Sequence, residues 1–575
     1  MRSAEQRNSI ITSKRNARDK ALSFAGPYSV NDHDVYTKAT ASEIVQRIAK
    51  GEWTSSQVLE AYIARSAIAQ AEANCLTEGD VFILILFTVL YEDARKRAKE
   101  LDAEFASTKT LRGPFHGVPV SFKDQYQIEG YDATVGFTAW ANNPGKKDAC
   151  LVTQLRTAGA IIFVKTNVPQ TMFAFECSNP VWGRTTNPWN NKYTCGGSSG
   201  GEGALLAMDG SAMGVGSDIG GSLRIPASYC GIYSMKPTAE REGHALDLPS
   251  ESLNWLSLTA TRPGFEAVRS SHGPMARSVQ DCELFCKTIF GQKDSFHQNI
   301  PVPYQAVELP SKLRFGYYLS DSMMESSPAC KRAVLETVSA LREQGHECIE
   351  FTSPLNASAM EVFLGLASSD GYKNLFLVTL GPRLPSFVRN LTCWIVKTVL
   401  GDSLFSRFFS LAREKSVSEF TDLTDQRNKI TAAWYEQVWD KYGFDGIIAP
   451  VQSLPVIPHG GSTYLAPLAA ATIIYNVIDS PVGTIPVTRV NPNTDQLSTD
   501  FVAGASGRSK VFDNRMYLGK NPAYDPKAME GIPVGVQLVG KKWEDEKVLA
   551  MMHVVDEALG PRGFGPGSWK PRKTQ

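Results

Sequence analysis

The feature that most constrains this chain is a pair of glycine- and serine-rich clusters, GGSSGG at residues 196–201 and SDIGGS at residues 217–222. Glycine loses more conformational entropy on folding than any other residue, so a dense glycine cluster needs a structural reason. Two such reasons are a backbone bend that no side chain allows and an amide N–H that a ligand can approach. Exposed amides beside a serine hydroxyl are what acyl transfer needs, because the amides stabilise an oxyanion while the serine attacks.

Other interpretations of these clusters are weaker. Apolar residues such as Leu205 and Leu206 interrupt the stretch, which argues against a flexible linker. A phosphate-binding loop would require a lysine directly after the glycines, and none is present. The pentapeptide GGSSG matches the nucleophile-elbow pattern, which would make Ser198 the nucleophile and require a histidine base downstream. The candidate bases, none in a context that singles it out, are His244, His272, His297, His346, His459 and His553.

Two longer motifs resemble those of the amidase-signature family. GGSSGG is followed by DIGGSLRIP at residues 218–226, and GVPVSFKD stands upstream at residues 117–124. The resemblance implies that Ser222 is the nucleophile, that Ser198 bridges it to a base, and that Lys123 is this base. It further implies that the chain hydrolyses a carboxylic acid amide to an acid and an amine or ammonia, through an acyl-enzyme.

The branch of the family is indicated by two further matches, TNVPQTM at residues 166–172 and CGGSSGGEGAL at residues 195–205. Both are most similar to fungal acetamidases and fatty-acid amide hydrolases. The resemblance covers residues 40–560 and leaves the substrate open among small aliphatic, aromatic, fatty and specialised-metabolite amides. Two alternatives are kept: a glutaminase subunit of a tRNA-dependent amidotransferase, and a non-catalytic amidase-like scaffold.

The role implied for Lys123 has a physical condition, because a lysine acts as a base only when it is neutral. The pKa of a free lysine is near 10.4. Burial without a paired carboxylate is the means by which a protein lowers that pKa. Asp124 follows directly, but alternate residues of a strand face opposite sides, so Asp124 need not pair with Lys123. His116 is a rival base, although its position in a predicted loop favours a structural role.

The second cluster predicts an oxyanion hole. Its successive backbone N–H groups belong to Ile219, Gly220, Gly221 and Ser222. One well-placed donor of this kind is worth a factor of about 10²–10³ in rate. Pro226 suits the first turn of a helix after the nucleophile, and the amino end of that helix favours developing negative charge.

The remaining candidates are expected to support or line the site. Asp218 and Arg224 are expected to pair and to fix the turn, and Ser199 to hydrogen-bond locally. Met172 lies in the segment that resembles the family's substrate cleft, where it is a candidate contact to the acyl group or an ordinary core residue. The complete set expected to contact the oxyanion or the substrate is Ile219, Gly220, Gly221, Ser198 and Met172.

The composition limits the partners and the compartment. The 575 residues include 59 basic and 59 acidic side chains, so net charge gives no support for a nucleic-acid or anionic-membrane partner. The ten cysteines show no C-x-x-C spacing, and the residues from Met1 onward do not resemble a signal peptide. We therefore expect reduced thiols in a cytoplasmic protein. The expected partner is a small-molecule amide, with a homodimer left open and no cofactor or metal ion.

Buried apolar segments that alternate with helical patterns predict an α/β fold with helices on both faces of a sheet. The resemblance implies a single large domain with a mixed, mostly parallel twisted sheet. We expect a flexible N-terminal arm at residues 1–35 and a catalytic domain at residues 36–565. Within it, residues 355–435 are helix-rich and aromatic, and their aromatic side chains either line an acyl tunnel or, as we favour, fill a helical core.

One segment does not fit this pattern. Residues 79–89, GDVFILILFTV, are strongly apolar but too short to span a bilayer, which takes about 20 residues. A membrane-docking loop, an added buried strand and a translated intron are the alternatives. The flanks read as continuous without the segment, which favours the intron and hence an artefact of the gene sequence.

Overall fold

A mixed sheet forms the centre of the computed structural model, which describes residues 3–78, 90–241, 265–292, 300–321, 323–371 and 385–571. Ten strands form this sheet in the order β2-β1-β5-β7-β6-β11-β12-β10-β8-β9, and β3 and β4 form a separate pair. The strands are β1 Pro119–Lys123, β2 Ile161–Thr166, β3 Ser178–Asn179, β4 Gly183–Arg184, β5 Met213–Asp218, β6 Tyr233–Lys236, β7 Ser271–Ala276, β8 Arg314–Tyr317, β9 Glu347–Glu350, β10 Gly446–Pro450, β11 Val482–Arg489 and β12 Pro533–Val539.

Helices flank the sheet, which confirms the predicted α/β class. They are α1 Ala4–Leu22, α2 Val30–Thr37, α3 Ala41–Ala49, α4 Ser55–Ala73, α5 Leu90–Thr108, α6 Cys150–Thr157, α7 Gly200–Ala207, α8 Arg224–Cys230, α9 Val279–Ile289, α10 Pro328–Glu343, α11 Asn356–Ala367, α12 Ser386–Thr398, α13 Ser403–Leu411, α14 Val417–Trp434, α15 Gly461–Tyr464, α16 Ala470–Val477, α17 Lys510–Asp513 and α18 Asp545–Leu559. No helix among the described residues is long and apolar enough to cross a membrane. The apolar segment 79–89 lies outside the described residues.

The sheet is mixed, as predicted, but the prediction that it is mostly parallel is wrong. At one edge β2, β1 and β5 are parallel, and at the other edge β10, β8 and β9 are parallel. Between the edges, every pairing from β5 through β7, β6, β11 and β12 to β10 is antiparallel. The alternation of strands and helices along the sequence leaves open which strands become neighbours, because the long connections between them set the order.

The strands that carry the site are buried along their whole length. Every residue is buried in β1 and β5, which carry Lys123 and Ser217, and in β2 beside β1. The helix α4 begins with a capping box. Oγ1 of Thr54 accepts a hydrogen bond from the backbone N–H of Gln57, and Oε1 of Gln57 accepts one from the backbone N–H of Thr54.

The expected flexible arm at residues 1–35 differs from the structure, in which its described part forms α1 and α2. α1 docks through polar contacts. Lys14 Nζ lies 2.6 Å from a carboxylate oxygen of Asp132 and 3.2 Å from one of Glu78, and all three side chains are buried. Arg18 donates to the carbonyl oxygen of Leu76. A helix held by ion pairs has no apolar stripe, so hydrophobic periodicity does not reveal it.

Candidate active site

Lys123 is the last residue of β1, and its side chain is wholly buried. Because β1 and β5 are parallel neighbours, with Phe122 opposite Val215, their carboxyl ends lie side by side. This places Lys123 Nζ 2.9 Å from Oγ of Ser217, near the end of β5. The same Nζ lies 2.7 Å from Oγ of Ser198. The structure thus brings Lys123 and Ser198 into direct hydrogen-bonding contact.

Ser198 lies just before α7, in a turn that requires glycine at the preceding position, Gly197. A Cβ on Gly197 would lie 2.5 Å from the carbonyl oxygen of Ala174, well inside normal contact distance. The Gly197–Ser198 peptide bond is cis. Ser198 is 2% exposed, and its Oγ bonds to Lys123 and to no histidine among the described residues. The nucleophile-elbow interpretation, which requires such a histidine, therefore has no support in the described part of the chain.

The candidate base histidines that the structure describes have other partners. His116 hydrogen-bonds to Arg112, and His272 to Tyr126. The partners of His346, His459 and His553 are Leu313, Glu176 and Glu283, in that order. His244 and His297 lie outside the described residues. His116, the rival base, accepts its hydrogen bond from a backbone N–H of its own loop, in keeping with the structural role expected for it.

Ser222 lies just before α8 and, unlike Lys123 and Ser198, is partly exposed. Its carbonyl oxygen accepts a hydrogen bond from the backbone N–H of Ser199 at 3.3 Å. This bond joins the loop that carries Ser222 to the turn that carries Ser198. The side chain of Ser222 lines a cavity, so a molecule bound in that cavity can reach its hydroxyl.

The loop at residues 219–222 supplies fewer free amides than predicted. The N–H of Gly221 donates to Oδ1 of Asp218 at 2.7 Å, so it is not available to an oxyanion. The amides of Ile219, Gly220 and Ser222 donate no hydrogen bond to the described residues. Gly221 has a different function, because its φ of +122° suits glycine and a Cβ would lie 2.4 Å from Oγ1 of Thr472.

Asp218 and Arg224 form the expected ion pair, and both side chains are wholly buried. Arg224 donates from Nη2 and Nε to the two carboxylate oxygens, each at 3.0 Å. Burial alone would raise the pKa of Asp218, but the charge of Arg224 and its hydrogen bonds hold that pKa well below its usual range. Asp218 therefore stays ionised and holds the 219–222 loop through the amides of Gly221 and Leu223.

The environment of Lys123 favours a neutral amine. Burial lowers the pKa of Lys123 to about 7. Among the described residues, no carboxylate lies within ion-pair distance of its Nζ. The nearby carboxylates have other donors, since Asp218 binds Arg224 and Glu202 accepts from the hydroxyls of Ser121 and Thr166. Burial also raises the pKa of Glu202 to about 8, which reduces its charge at neutral pH.

Sequence reasoning missed two residues that contact this site. Ser217 contacts Lys123 Nζ and donates its own hydroxyl hydrogen to Oε1 of Gln125 at 2.8 Å. Gln125 is wholly buried. A signal was present, because Lys123 and Gln125 are two residues apart near the end of a strand and so favour the same side. Ser199 makes the local bonds expected of it, to the backbone N–H and carbonyl of Ser217.

A cavity of about 280 Å³, lined mostly by apolar side chains, opens beside Ser222. Met172 lines it, together with the neighbouring Phe173. Both are partly exposed, and the contact of Met172 with a substrate stays a prediction. The inner wall includes Ile225, which is 2% exposed and belongs to the buried core.

The helix-rich region supplies four aromatic side chains to this cavity, namely Phe363, Phe405, Phe408 and Phe409. Phe363 and Phe408 are buried, whereas the other two are partly exposed. Phe363 and Phe408 also belong to the buried core, and Phe405 packs against it, so the core role and the cavity wall are not exclusive alternatives for these side chains. Helical spacing shows that a side chain faces inward without showing what lies opposite it.

Comparisons with known proteins agree with this geometry. A family model described as Amidase matches residues 57–549. An acetamidase of Emericella nidulans is 32% identical over 541 residues, covering 91% of this chain and 90% of that protein. Fatty-acid amide hydrolase 1 of Sus scrofa is 31% identical, covering 92% and 87%. A solved structure of a fatty acid amide hydrolase matches with a TM-score of 0.77 at 26% identity, covering 97% of this chain and 95% of the other. The chain therefore belongs to the amidase family and is an amide-hydrolysing enzyme.

Proposed function

We propose that the chain cleaves its amide through an acyl-enzyme formed on Ser222, with Ser198 as a proton bridge and neutral Lys123 as the base. One observation carries this proposal: Lys123 is wholly buried, has no carboxylate partner among the described residues, and lies 2.7 Å from Oγ of Ser198. Because burial lowers the pKa of Lys123 to about 7, a large fraction of the enzyme carries the neutral amine at physiological pH, and only that form can act as a base.

The proposed reaction begins with a transfer of protons from Ser222 toward Lys123. Lys123 accepts the proton of Ser198, which accepts the proton of Ser222 as Oγ of Ser222 attacks the amide carbon. The free amides of Ile219, Gly220 and Ser222 stabilise the oxyanion. Collapse of the tetrahedral intermediate breaks the C–N bond, and the proton returns through Ser198 to the leaving nitrogen. Water then attacks the acyl carbon while its proton passes through Ser198 to Lys123. The bond between that carbon and Oγ of Ser222 breaks, the proton returns along the same path to Oγ of Ser222, and the acid leaves. No step requires a metal ion or a cofactor.

The cavity indicates the kind of amide. Its wall is mostly apolar and aromatic, and its volume of about 280 Å³ would remain largely empty around an acetyl group. Burial of an apolar substituent is favourable by about 25 cal/mol per Å². We therefore propose an amide with an extended apolar acyl group as the substrate. Such a substrate resembles a fatty-acid amide, which the name of one relative mentions, more than acetamide, which the name of the other mentions.

The setting of the reaction is part of the proposal. Residues 36–565 would form the catalytic domain, with α1 and α2 packed against it. A reducing compartment such as the cytoplasm is favoured because all ten cysteines are free thiols and nine of them are buried.

The test is turnover of an amide panel comprising acetamide, benzamide, a fatty amide and glutamine. We expect Ser222→Ala to lower kcat by a factor of about 10⁴–10⁶. Lys123→Ala and Ser198→Ala should also abolish most activity. Ser211→Ala is the control, because Ser211 is a buried serine whose hydroxyl, among the described residues, donates to the carbonyl oxygen of Met213 and to no group of the proposed mechanism.

A fluorophosphonate probe gives an independent readout of the nucleophile. The peptide that carries Ser222 should be labelled, and labelling should disappear in Ser222→Ala. If Ser198→Ala is inactive while Ser222→Ala keeps its activity and its label, Ser198 is the nucleophile and the proposed mechanism is wrong. Absence of both labelling and turnover would favour the non-catalytic scaffold, and a strong preference for glutamine would favour the glutaminase.

A further inference from the structure

The described lining of the cavity beside Ser222 contains one charged side chain, that of Arg515. The rest of the described wall consists of apolar and aromatic residues, a few hydroxyl groups and glycine backbone. A single charge in such a wall stands out, because apolar pockets gain specificity from a small number of well-placed polar groups.

Arg515 has no carboxylate partner among the described residues. Its Nη1 donates to the carbonyl oxygen of Tyr464 at 3.0 Å. Its guanidinium carbon lies 5.9 Å from the ring centroid of Phe405 and 5.9 Å from that of Tyr464. Both rings also line the cavity. These contacts orient the guanidinium, and most of its five N–H donors have no acceptor within the described ranges of the chain.

A nearby arginine shows the usual alternative. Arg508 lies 3.0 Å from a carboxylate oxygen of Glu325 and 3.4 Å from one of Asp513. Its charge is therefore satisfied within the protein, and Arg508 does not line the cavity. Arg515 differs on both counts, although the two residues are only a few positions apart.

The position of Arg515 defines an outer end of the cavity. Arg515 is exposed and the adjoining Tyr464 is 38% exposed, whereas Phe363 and Ile225 in the same wall are 1% and 2% exposed. A substrate that extends from Ser222 along the wall thus passes buried aromatic surface before it reaches a cation in contact with water. A charged group at this end keeps part of its hydration, so its binding carries little of the desolvation cost of a buried ion.

We propose that Arg515 is a specificity-determining residue that binds a carboxylate at the far end of the substrate. This proposal rests on the proposed function and makes its substrate class more specific. The preferred substrates are amides whose apolar acyl chain fills the cavity and ends in a carboxylate, so that hydrolysis yields a dicarboxylic acid. The guanidinium fork matches a carboxylate with two parallel N–H···O bonds, which an uncharged chain end cannot accept in the same way.

The kinetic test compares two homologous series, linear alkanamides and the monoamides of linear dicarboxylic acids. At one chain length the wild type should prefer the carboxylate, with a lower KM, and the preference should weaken as salt is added. In Arg515→Gln, the ratio of kcat/KM between the two series should fall by about 2- to 5-fold, the range expected for an exposed charge pair. Arg515→Glu should reverse the preference, favouring an amide that ends in an ammonium group.

Arg407→Gln is the matched control. Arg407 lies on α13 between Phe405 and Phe408, which line the cavity. Its own side chain pairs with Glu361 at 2.7 Å and is not part of the described wall. This variant should leave the ratio between the two series unchanged. An equal change in both variants would show a general effect of surface charge and would overturn the assignment to Arg515.

Calorimetric binding to Ser222→Ala separates this proposal from the proposed function, because it needs no turnover. The dicarboxylic monoamide should bind Ser222→Ala more tightly than the alkanamide of equal length, and the double variant with Arg515→Gln should lose that difference. Equal affinities, or tighter binding of the alkanamide, would overturn the role of Arg515 even if the enzyme is active. If the wild type hydrolyses no amide, the proposed mechanism fails while this binding result still decides the role of Arg515.

Discussion

Two buried lysines on neighbouring strands have opposite surroundings. Lys123 ends β1, and Lys165 lies on β2 opposite Phe122, so the two are adjacent in the sheet. Both side chains are wholly buried. Lys165 Nζ lies 3.6 Å from a carboxylate oxygen of Asp124 and donates to the carbonyl oxygen of Asp132 at 2.5 Å. In the part of the chain that the structure describes, the hydrogen-bond partners of Lys123 Nζ are the hydroxyls of Ser198 and Ser217.

The difference shows how the fold separates a structural charge from a chemical base. Asp124 is next to Lys123 in sequence, yet its carboxylate accepts from Thr77, Thr134 and the N–H of Val135 on the side where Lys165 lies. A carboxylate beside Lys123 would stabilise the ammonium form and remove its basicity. Because the carboxylate of Asp124 lies beside Lys165, Lys165 has a partner for its charge. Lys123 has none among the described residues, and its burial favours the neutral amine.

Replacement of Lys123 should give the largest effect on catalysis. In Lys123→Met the base is lost while no buried ion pair is broken. We expect kcat to fall by a factor of about 10²–10⁴, with a change in the free energy of unfolding within about 1–2 kcal/mol. Steady-state kinetics and urea denaturation measure the two effects. A variant that loses several kcal/mol of stability would show that Lys123 is a structural cation like Lys165.

Replacement of Lys165 should give the opposite result. Lys165→Met leaves Asp124 buried without its cation, and such a loss costs about 3–5 kcal/mol of unfolding free energy. Urea denaturation of Lys165→Met beside Lys123→Met measures the contrast. The folded fraction should retain kcat within about tenfold, because Lys165 contacts none of the reacting groups. A full loss of kcat with unchanged stability would contradict the distinction between the two lysines.

The pH dependence sharpens the same comparison. Because burial lowers the pKa of Lys123 to about 7, kcat/KM should rise with pH and level off above pH 7. Below that value the ammonium form predominates, and the rate should fall by about tenfold per pH unit. A pH–rate profile of the wild type measures this fall in rate on the acid side. As the control, the residual activity of Lys123→Met should not show the same fall.

The same pKa shift predicts a change in stability. Between pH 7 and the value near 10.4 of a free lysine, the unfolded chain binds a proton at Lys123 that the folded chain does not. This group therefore makes the free energy of unfolding rise with pH through that window. Lys123→Met should lose this contribution, and denaturation at several pH values measures it. Identical slopes in the two proteins would mean that Lys123 is charged in the folded state.

The parts of the site that could be predicted from the sequence follow local rules. Strand alternation directs Asp124 away from Lys123, and the ion pair of Asp218 with Arg224 spans one turn of chain. Each of these two predictions depends on a few consecutive residues whose backbone geometry the sequence nearly determines. The pairing of Lys123 with Ser198, 75 positions apart, is instead implied by the resemblance of two motifs to those of the amidase-signature family.

The parts that could not be predicted depend on segments that meet only in the fold. The loss of Gly221 as an oxyanion donor depends on which way the carboxylate of Asp218 points. The docking of α1 depends on Lys14 reaching Asp132, and the position of Arg515 beside Phe405 joins residues more than one hundred positions apart. Hydrophobic pattern does not encode such polar contacts, since they leave no period in the sequence.

Ser217 is the second hydroxyl that distinguishes the surroundings of Lys123 from those of Lys165. Because Ser217 donates its one hydrogen to Gln125 at 2.8 Å, its Oγ can only accept from Lys123 Nζ, at 2.9 Å. It therefore fixes one N–H of the neutral amine and orients the nitrogen toward Ser198. The same acceptor stabilises the ammonium form that appears when the base takes a proton.

The smallest expected effect belongs to Ser217→Ala. Loss of the acceptor should lower kcat/KM by about tenfold, the worth of one modest hydrogen bond, with little change in KM. The acid limb of the pH–rate profile should move to lower pH, because the ammonium form of Lys123 loses a partner. Ser217→Thr, which keeps the hydroxyl, should restore both. A rate loss with an unmoved limb, matched by an equal loss in Ser211→Ala, would mean that Ser217 only packs and that Ser198 alone positions the amine.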